Sequence, residues 1–281
     1  MEGIGLPTRF SNVEGTLSVQ LDPSLAAVTL DSLNYLRNFP DQCIEQTVSR
    51  FLPNVVTYRA LHDLGLADAD LEASLRTALD FGLTKLEKDQ NADGGWGWFG
   101  GMESNSLVTA YALLGLTEAQ SFASDTDTAS AQRAADYLQS QLLKRIDVNT
   151  PTWQLNRQAF LIYVLADWKA NAALTPFAEA LYAYRIELSQ AGHAYLLMAY
   201  SLLAPEGIEV KNLVSDLVTS AIVSSTGAHW EEVERDGWNW DSDTRTTALA
   251  LTAIIGAEPD QPLLPNVVRW LVTARRGDHW E

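Results

Sequence analysis

Cys43 and Gln46 stand three residues apart, and side chains of these two types can react with each other. The chain holds a single cysteine, so no internal disulfide is open to it. On a helix, positions i and i+3 share a face, which sets the Cys43 sulfur against the Gln46 carboxamide. A thiolate attacking that amide carbon expels ammonia and leaves an internal thioester, an activated acyl group held for an outside nucleophile. Pro40 and Asp41 precede the pair and place Cys43 near a helix N-terminus, where the positive end of the dipole lowers a thiol pKa. Glu45 lies between the two. It either serves the thioester, by a hydrogen bond near it or by handling a proton during its formation, or complements the dipole as an ordinary first-turn carboxylate. The plainer use of Cys43 is as a small buried hydrophobe, as for most free cysteines.

The elements that must position this pair read as helices almost throughout. Helical periodicity predicts spans 24–38, 43–64, 68–89, 104–117, 129–145, 154–170, 174–189, 191–204, 208–224, 243–256 and 263–276, with no β-run between them. Residues 1–21 differ. Gly15 to Leu21 alternate apolar and polar residues as a half-buried strand does, and Asp22-Pro23 then caps and opens the first helix. We expect residues 1–21 to be the last strand of a preceding β-rich domain and 22–281 to be one helical domain.

A loop signature repeats along that domain. Gln90-Asn-Ala-Asp-Gly-Gly-Trp-Gly-Trp98 leads into Ser106-Leu-Val-Thr-Ala-Tyr-Ala-Leu-Leu114, and Asp236-Gly-Trp-Asn-Trp240 leads into Thr246-Thr-Ala-Leu-Ala-Leu-Thr-Ala253. Gly/Trp loops followed by helices rich in small residues suit a ring whose inner helices pack closely. The expected fold is all-α: an α/α toroid of six helical hairpins. Eleven predicted helices against about twelve needed, and an ending at Arg275-Arg-Gly-Asp-His-Trp-Glu281 that starts another Gly/Trp loop, point to a missing last inner helix and a longer parent polypeptide.

Asn38-Phe-Pro-Asp-Gln-Cys-Ile-Glu-Gln-Thr-Val-Ser-Arg50, continued by Phe51-Leu52-Pro53, closely resembles the thioester motif of α-2-macroglobulins and complement thioester proteins. The continuation is most similar to the bacterial macroglobulins. Gly94-Gly95-Trp96-Gly97-Trp98 and Thr109-Ala110-Tyr111 also match, and the similarity runs from about Pro23 onward. The resemblance implies an extracytoplasmic, single-turnover inhibitor of endopeptidases rather than an enzyme. A protease cuts a bait elsewhere in the parent protein, the thioester is exposed, and a protease lysine takes the Gln46 acyl group while Cys43 leaves. The other domains of the same polypeptide would be partners too, shielding the thioester from water.

In some complement members a histidine on a later loop redirects transfer to hydroxyls. That loop falls at about 146–156 here and contains no histidine; the four in the chain are His62, His193, His229 and His279, read as structural or surface residues. Asn156 is the candidate for the position facing the thioester. Without an imidazole relay, an amine must attack directly.

The sequence also allows two other readings. The Gly/Trp loops resemble those of terpene cyclases and prenyltransferases, which steer carbocations by cation–π attraction. Asp241-Ser242-Asp243-Thr244 departs from the acidic motif such a cyclase needs, and fits helix capping better, with a cation site among Asp236, Asp241 and Asp243 as a remoter option. The other is an interaction module whose thioester never forms. No metal or cofactor is called for. A formal charge of -17 disfavours nucleic acid and anionic membrane surfaces as partners, and no apolar run is long enough to span a bilayer. Met1 to Gly5 show no signal-peptide pattern.

Overall fold

Burial pattern divides the helices into two kinds. In α7 (Gln190–Leu203) every residue from Ala191 to Tyr200 is buried, and α5 (Thr152–Lys169) is buried on nearly all sides between Leu155 and Ala166. Such helices have no solvent face. By contrast, α4 (Thr128–Gln141) buries only the stripe Ser130, Ala131, Ala134, Ala135 and Leu138. The remaining helices are α1 (Ile44–Asp63), α2 (Ala69–Asp89), α3 (Ser106–Phe122), α6 (Thr175–Tyr182), α8 (Ile208–Ser220), α9 (Asp243–Ala257) and α10 (Leu264–Ala274).

This computed structural model describes residues 43–63, 65, 69–122, 128–234, 236–275 and 280. The expected strand at 15–21, the Asp22 cap, the helix at 24–38 and His279 lie outside the described residues, as does the boundary between 21 and 22. Helices α1, α3, α5, α7 and α9 pack on one another in that order, and α2, α4, α6, α8 and α10 flank them. This alternation of inner and outer helices is an α/α toroid. From α3 to α9, each inner helix follows an outer helix in the chain.

Close approach between α1 and its neighbours depends on two glycines. Phe51 is fully buried, and a methyl group added at Gly82 of α2 or Gly115 of α3 would lie 2.5 Å and 3.1 Å from its ring. Glycine in a helix interior costs about 1 kcal/mol relative to alanine, and here that cost makes room for the Phe51 wedge.

The loops carry a repeated lock. The Trp96 indole N–H donates to Leu86 O at 2.8 Å, while Thr109 of α3 accepts the Trp96 N–H at 2.9 Å and donates to Trp96 O. Trp230 repeats each bond, to Leu217 O at 2.8 Å and with Thr247 of α9. Trp280 donates to Leu271 O at 2.7 Å. All three carbonyls belong to the last turn of an outer helix, where backbone acceptors lack intrahelical partners. The structural repeat is therefore offset from the repeat in the sequence. Trp230, not Trp238, is the counterpart of Trp96, and Trp238 is 71% exposed.

Two spans depart from the expected helices. The helix predicted over 208–224 stops at Ser220, and Ile222–Ser224 pairs antiparallel with Gly227–His229 as a hairpin. Ile222-Val223 favours strand, and Gly227, at φ 134, sits against the α10 backbone where no side chain fits. The predicted helix 174–189 breaks into a 3-10 turn at Ala172–Leu174, α6, and a second 3-10 turn at Arg185–Glu187.

Candidate functional site

Cys43 is the N-cap of α1 and Gln46 is its third helical residue. The Gln46 N–H donates to Cys43 Sγ at 3.4 Å, and the Cys43 N–H donates to Gln46 Oε1 at 3.3 Å. These are the two reciprocal bonds of a capping box, with sulfur in place of a Ser or Thr hydroxyl. The cap lays the thiol and the carboxamide of its two residues together. Ile44 N–H is satisfied by Trp98 O at 2.9 Å, and Thr47 donates through both N and Oγ1 to Cys43 O. The first turn is thus pinned on every side, with Cys43 only 6% exposed.

The arrangement suits acyl chemistry. The Cys43 N–H points at the oxygen on which negative charge collects when sulfur attacks the Gln46 carbon, as an oxyanion donor must. Glu45 Oε2 lies 4.0 Å from Cys43 Sγ, and its Oε1 accepts from Ser49 Oγ at 2.6 Å. Ser49 in turn lies 3.1 Å from the Tyr111 hydroxyl. Sequence reading missed Ser49. It sits one helical turn beyond Glu45, so the i,i+4 rule was the available signal.

An aromatic platform stands beside the pair. Trp98, whose carbonyl holds Ile44, meets Trp240 edge-on at 5.5 Å, and Trp240 meets Tyr111 edge-on at 5.9 Å. Trp240 adopts a left-handed φ of 60, unusual for a bulky residue. Arg157 of α5 fixes its loop. The guanidinium donates to Trp238 O, Asn239 Oδ1 and Ser106 Oγ, and burial brings its pKa down to about 10 against the pull of Asp236.

Asn156 is buried in the same loop's foundation. Its Nδ2 donates to Asp236 Oδ2 at 3.0 Å and its Oδ1 accepts Ser189 N–H at 3.0 Å. These bonds hold the loop and the start of α7; they do not run to Cys43 or Gln46. Asn156 and Trp238 help line a cavity of 650 Å³ with Trp153, Ser189, Glu234 and Asp236.

Each of the three aspartates weighed for a cation has its own partners. Asp236 accepts from Asn156, Asn239 and Trp238 N; Asp241 pairs with Arg245 at 3.2 Å; Asp243 accepts Glu232 N–H at 3.1 Å. Burial first, then the Glu232 charge, pushes Asp241 up to about 7, which weakens it further as a ligand. Ser242 is the residue that caps α9. Among the described residues no group of three His, Cys, Asp or Glu side chains is placed to hold a metal.

Of the described histidines, His193 is buried with Nδ1 3.1 Å from Ser189 O, and burial lowers its pKa. His229 stacks on Trp270 at 4.5 Å, and His62 is exposed beside Asp63.

The family model described as the A-macroglobulin TED domain matches residues 16–177. The α-2-macroglobulin of Thermotoga maritima is 28% identical over 84% of this chain, which spans 15% of that protein. Thioester-containing protein 1, allele R1, of Anopheles gambiae is 24% identical over 92% of the chain, here 20% of its length. The crystal structure of Salmonella α-2-macroglobulin reacted with methylamine superposes at a TM-score of 0.70, with 19% identity, over 90% of this chain and 16% of that one.

Proposed function

Because this chain belongs to the A-macroglobulin TED domain family, whose model covers more than half of it, we propose that Cys43 and Gln46 form an internal thioester that tethers endopeptidases covalently. The observation that carries the proposal is the sulfur capping box, in which the same two bonds that cap α1 bring the thiol and carboxamide together.

Formation joins Cys43 Sγ to the Gln46 side-chain carbon and releases ammonia. Cys43 N–H stabilises the oxygen during attack, and Glu45 moves the thiol proton towards the departing nitrogen. Transfer reverses the roles. A protease lysine attacks the acyl carbon, Cys43 leaves as thiolate, and an amide remains. Each molecule acts once. A separate cavity lined by Trp153, Trp238, Glu234 and Asp236 has a lining that attracts ammonium groups, since indole faces and carboxylates both do so. Asn156 lines that cavity as an uncharged residue with no imidazole to offer as a relay.

The parent protein would provide the bait and the shielding domains, and would work outside the cytoplasm. The test is capture. Incubated with an endopeptidase, the parent protein should yield a covalent adduct that maps to an amide between Gln46 and a protease lysine, and Cys43→Ala should yield none. Complexes that fall apart on denaturation would count against the tether.

A further inference from the structure

Glu45 is held on the side away from the sulfur by one hydroxyl, which a second hydroxyl from another helix holds in turn. Ser49 of α1 lies 2.6 Å from Glu45 Oε1, and the Tyr111 hydroxyl of α3 lies 3.1 Å from Ser49 Oγ. A serine hydroxyl carries one proton, and the short bond to Glu45 uses it, so Tyr111 is the donor to Ser49. The chain of bonds runs from Tyr111 to Ser49 to Glu45 Oε1, leaving Oε2 towards Cys43 Sγ at 4.0 Å. Burial above all, with the Glu45 charge adding to it, pushes the Tyr111 phenol up to about 12. It therefore stays a donor across the working range of pH. Trp240 packs edge-on against its ring and fixes its orientation.

We propose that Ser49 and Tyr111 are positioning residues that aim the Glu45 carboxylate at the Cys43–Gln46 thioester for proton transfer. This rests on the thioester reading above. In formation the S–C bond forms and the C–N bond breaks; the thiol proton passes to Glu45 Oε2 and leaves with the nitrogen as ammonia. In transfer the new C–N bond forms and the C–S bond breaks; a proton of the attacking amine reaches the leaving thiolate through the same oxygen. Nothing is oxidised or reduced. Ser49 and Tyr111 give up no proton. They restrict a side chain with three rotatable bonds to the orientation in which one oxygen is spent and the other faces sulfur.

The test follows thiol release by methylamine in the wild-type chain, Ser49→Ala, Ser49→Thr, Tyr111→Phe and the double variant Ser49→Ala/Tyr111→Phe. Intact mass first establishes that the wild type carries the thioester; its absence would overturn the thioester reading and this inference together. General acid–base groups contribute about 10²–10⁴-fold, so loss of aim should slow Ser49→Ala by about 10-fold or more. Ser49→Thr, which keeps the hydroxyl, should react within about 2-fold of wild type, and Tyr111→Phe should be slowed about 3-fold, on the scale of one hydrogen bond at second remove. Because the two act in series, adding Tyr111→Phe to Ser49→Ala should cost nothing more. Given an intact wild-type thioester, three results would each overturn this inference alone: Ser49→Ala reacting at the wild-type rate, Ser49→Thr as slow as Ser49→Ala, or the two losses multiplying.

Discussion

Gln46 and Cys43 satisfy each other's backbone: Gln46 N–H donates to Cys43 Sγ at 3.4 Å, and Cys43 N–H donates to Gln46 Oε1 at 3.3 Å. The structural role of the pair and its proposed chemistry come from one geometry, and substitution separates them.

Cys43→Ser keeps an acceptor at the N-cap and a better one than sulfur, so its melting temperature should match or exceed the wild type. Cys43→Ala loses the cap and should cost about 0.5–2 kcal/mol. Neither should bind methylamine at Gln46. Denaturant unfolding beside adduct mass checks this, and a Ser variant as unstable as the Ala variant would show that the sulfur packs rather than caps.

The tryptophan locks make a prediction about stability alone. Thr109→Val and Thr247→Val keep the volume but leave a buried Trp N–H and C=O without their hydroxyl. Each should cost about 1–3 kcal/mol, while Thr→Ser should cost much less. The two locks share no residue, so the double variant should show the sum in urea unfolding.

Asp167 of α5 gives a pH dependence. Burial, with the Glu118 charge adding and Arg59 opposing, pushes it up to about 6. Its folded value lies above its unfolded value of about 3.9, so the folded state holds the extra proton between them. Stability from this group is therefore present below about pH 4 and lost as pH rises through about 6. Asp167→Asn should raise the melting temperature by a few degrees at pH 8 and converge with wild type near pH 4. Parallel curves at the two pH values would refute the assignment.

Acceptor choice follows from the lack of histidine across residues 146–156. Direct attack needs a deprotonated amine, so labelling should quicken as pH rises towards an amine pKa of about 10, while glycerol competes poorly. Asn156→His should shift transfer towards glycerol if the ring reaches the acyl carbon. The same change removes bonds to Ser189 and Asp236, so its stability must be measured alongside. Efficient glycerol labelling of the unsubstituted chain would contradict direct attack.

Helix content and the toroid were legible because inner helices such as Gln190–Leu203 are apolar all round and the Gly/Trp loops recur. The contact between Cys43 and Gln46 was legible because residues three apart share a helix face, and the two side chains do meet there. What escaped were contacts between elements distant in sequence. Trp230 was passed over for Trp238 because its loop lacks the Asp-Gly signature, and only the bonds to Leu217 and Thr247 reveal the repeat. The hairpin at 222–229 was lost because Ile222-Val223 continues the apolar period of the helix before it. Tyr111 belongs to the Thr109-Ala110-Tyr111 motif, but its place behind Ser49 depends on how α3 packs against α1.

The most direct measurement is the mass of the peptide containing Cys43 and Gln46 from freshly prepared protein, before and after methylamine. The account predicts a peptide lighter than its sequence by one ammonia, no free thiol, and on treatment a methylamide at Gln46 with one thiol released. A peptide of full sequence mass, with Gln at position 46, a titratable Cys43 and no methylamine adduct, would contradict it.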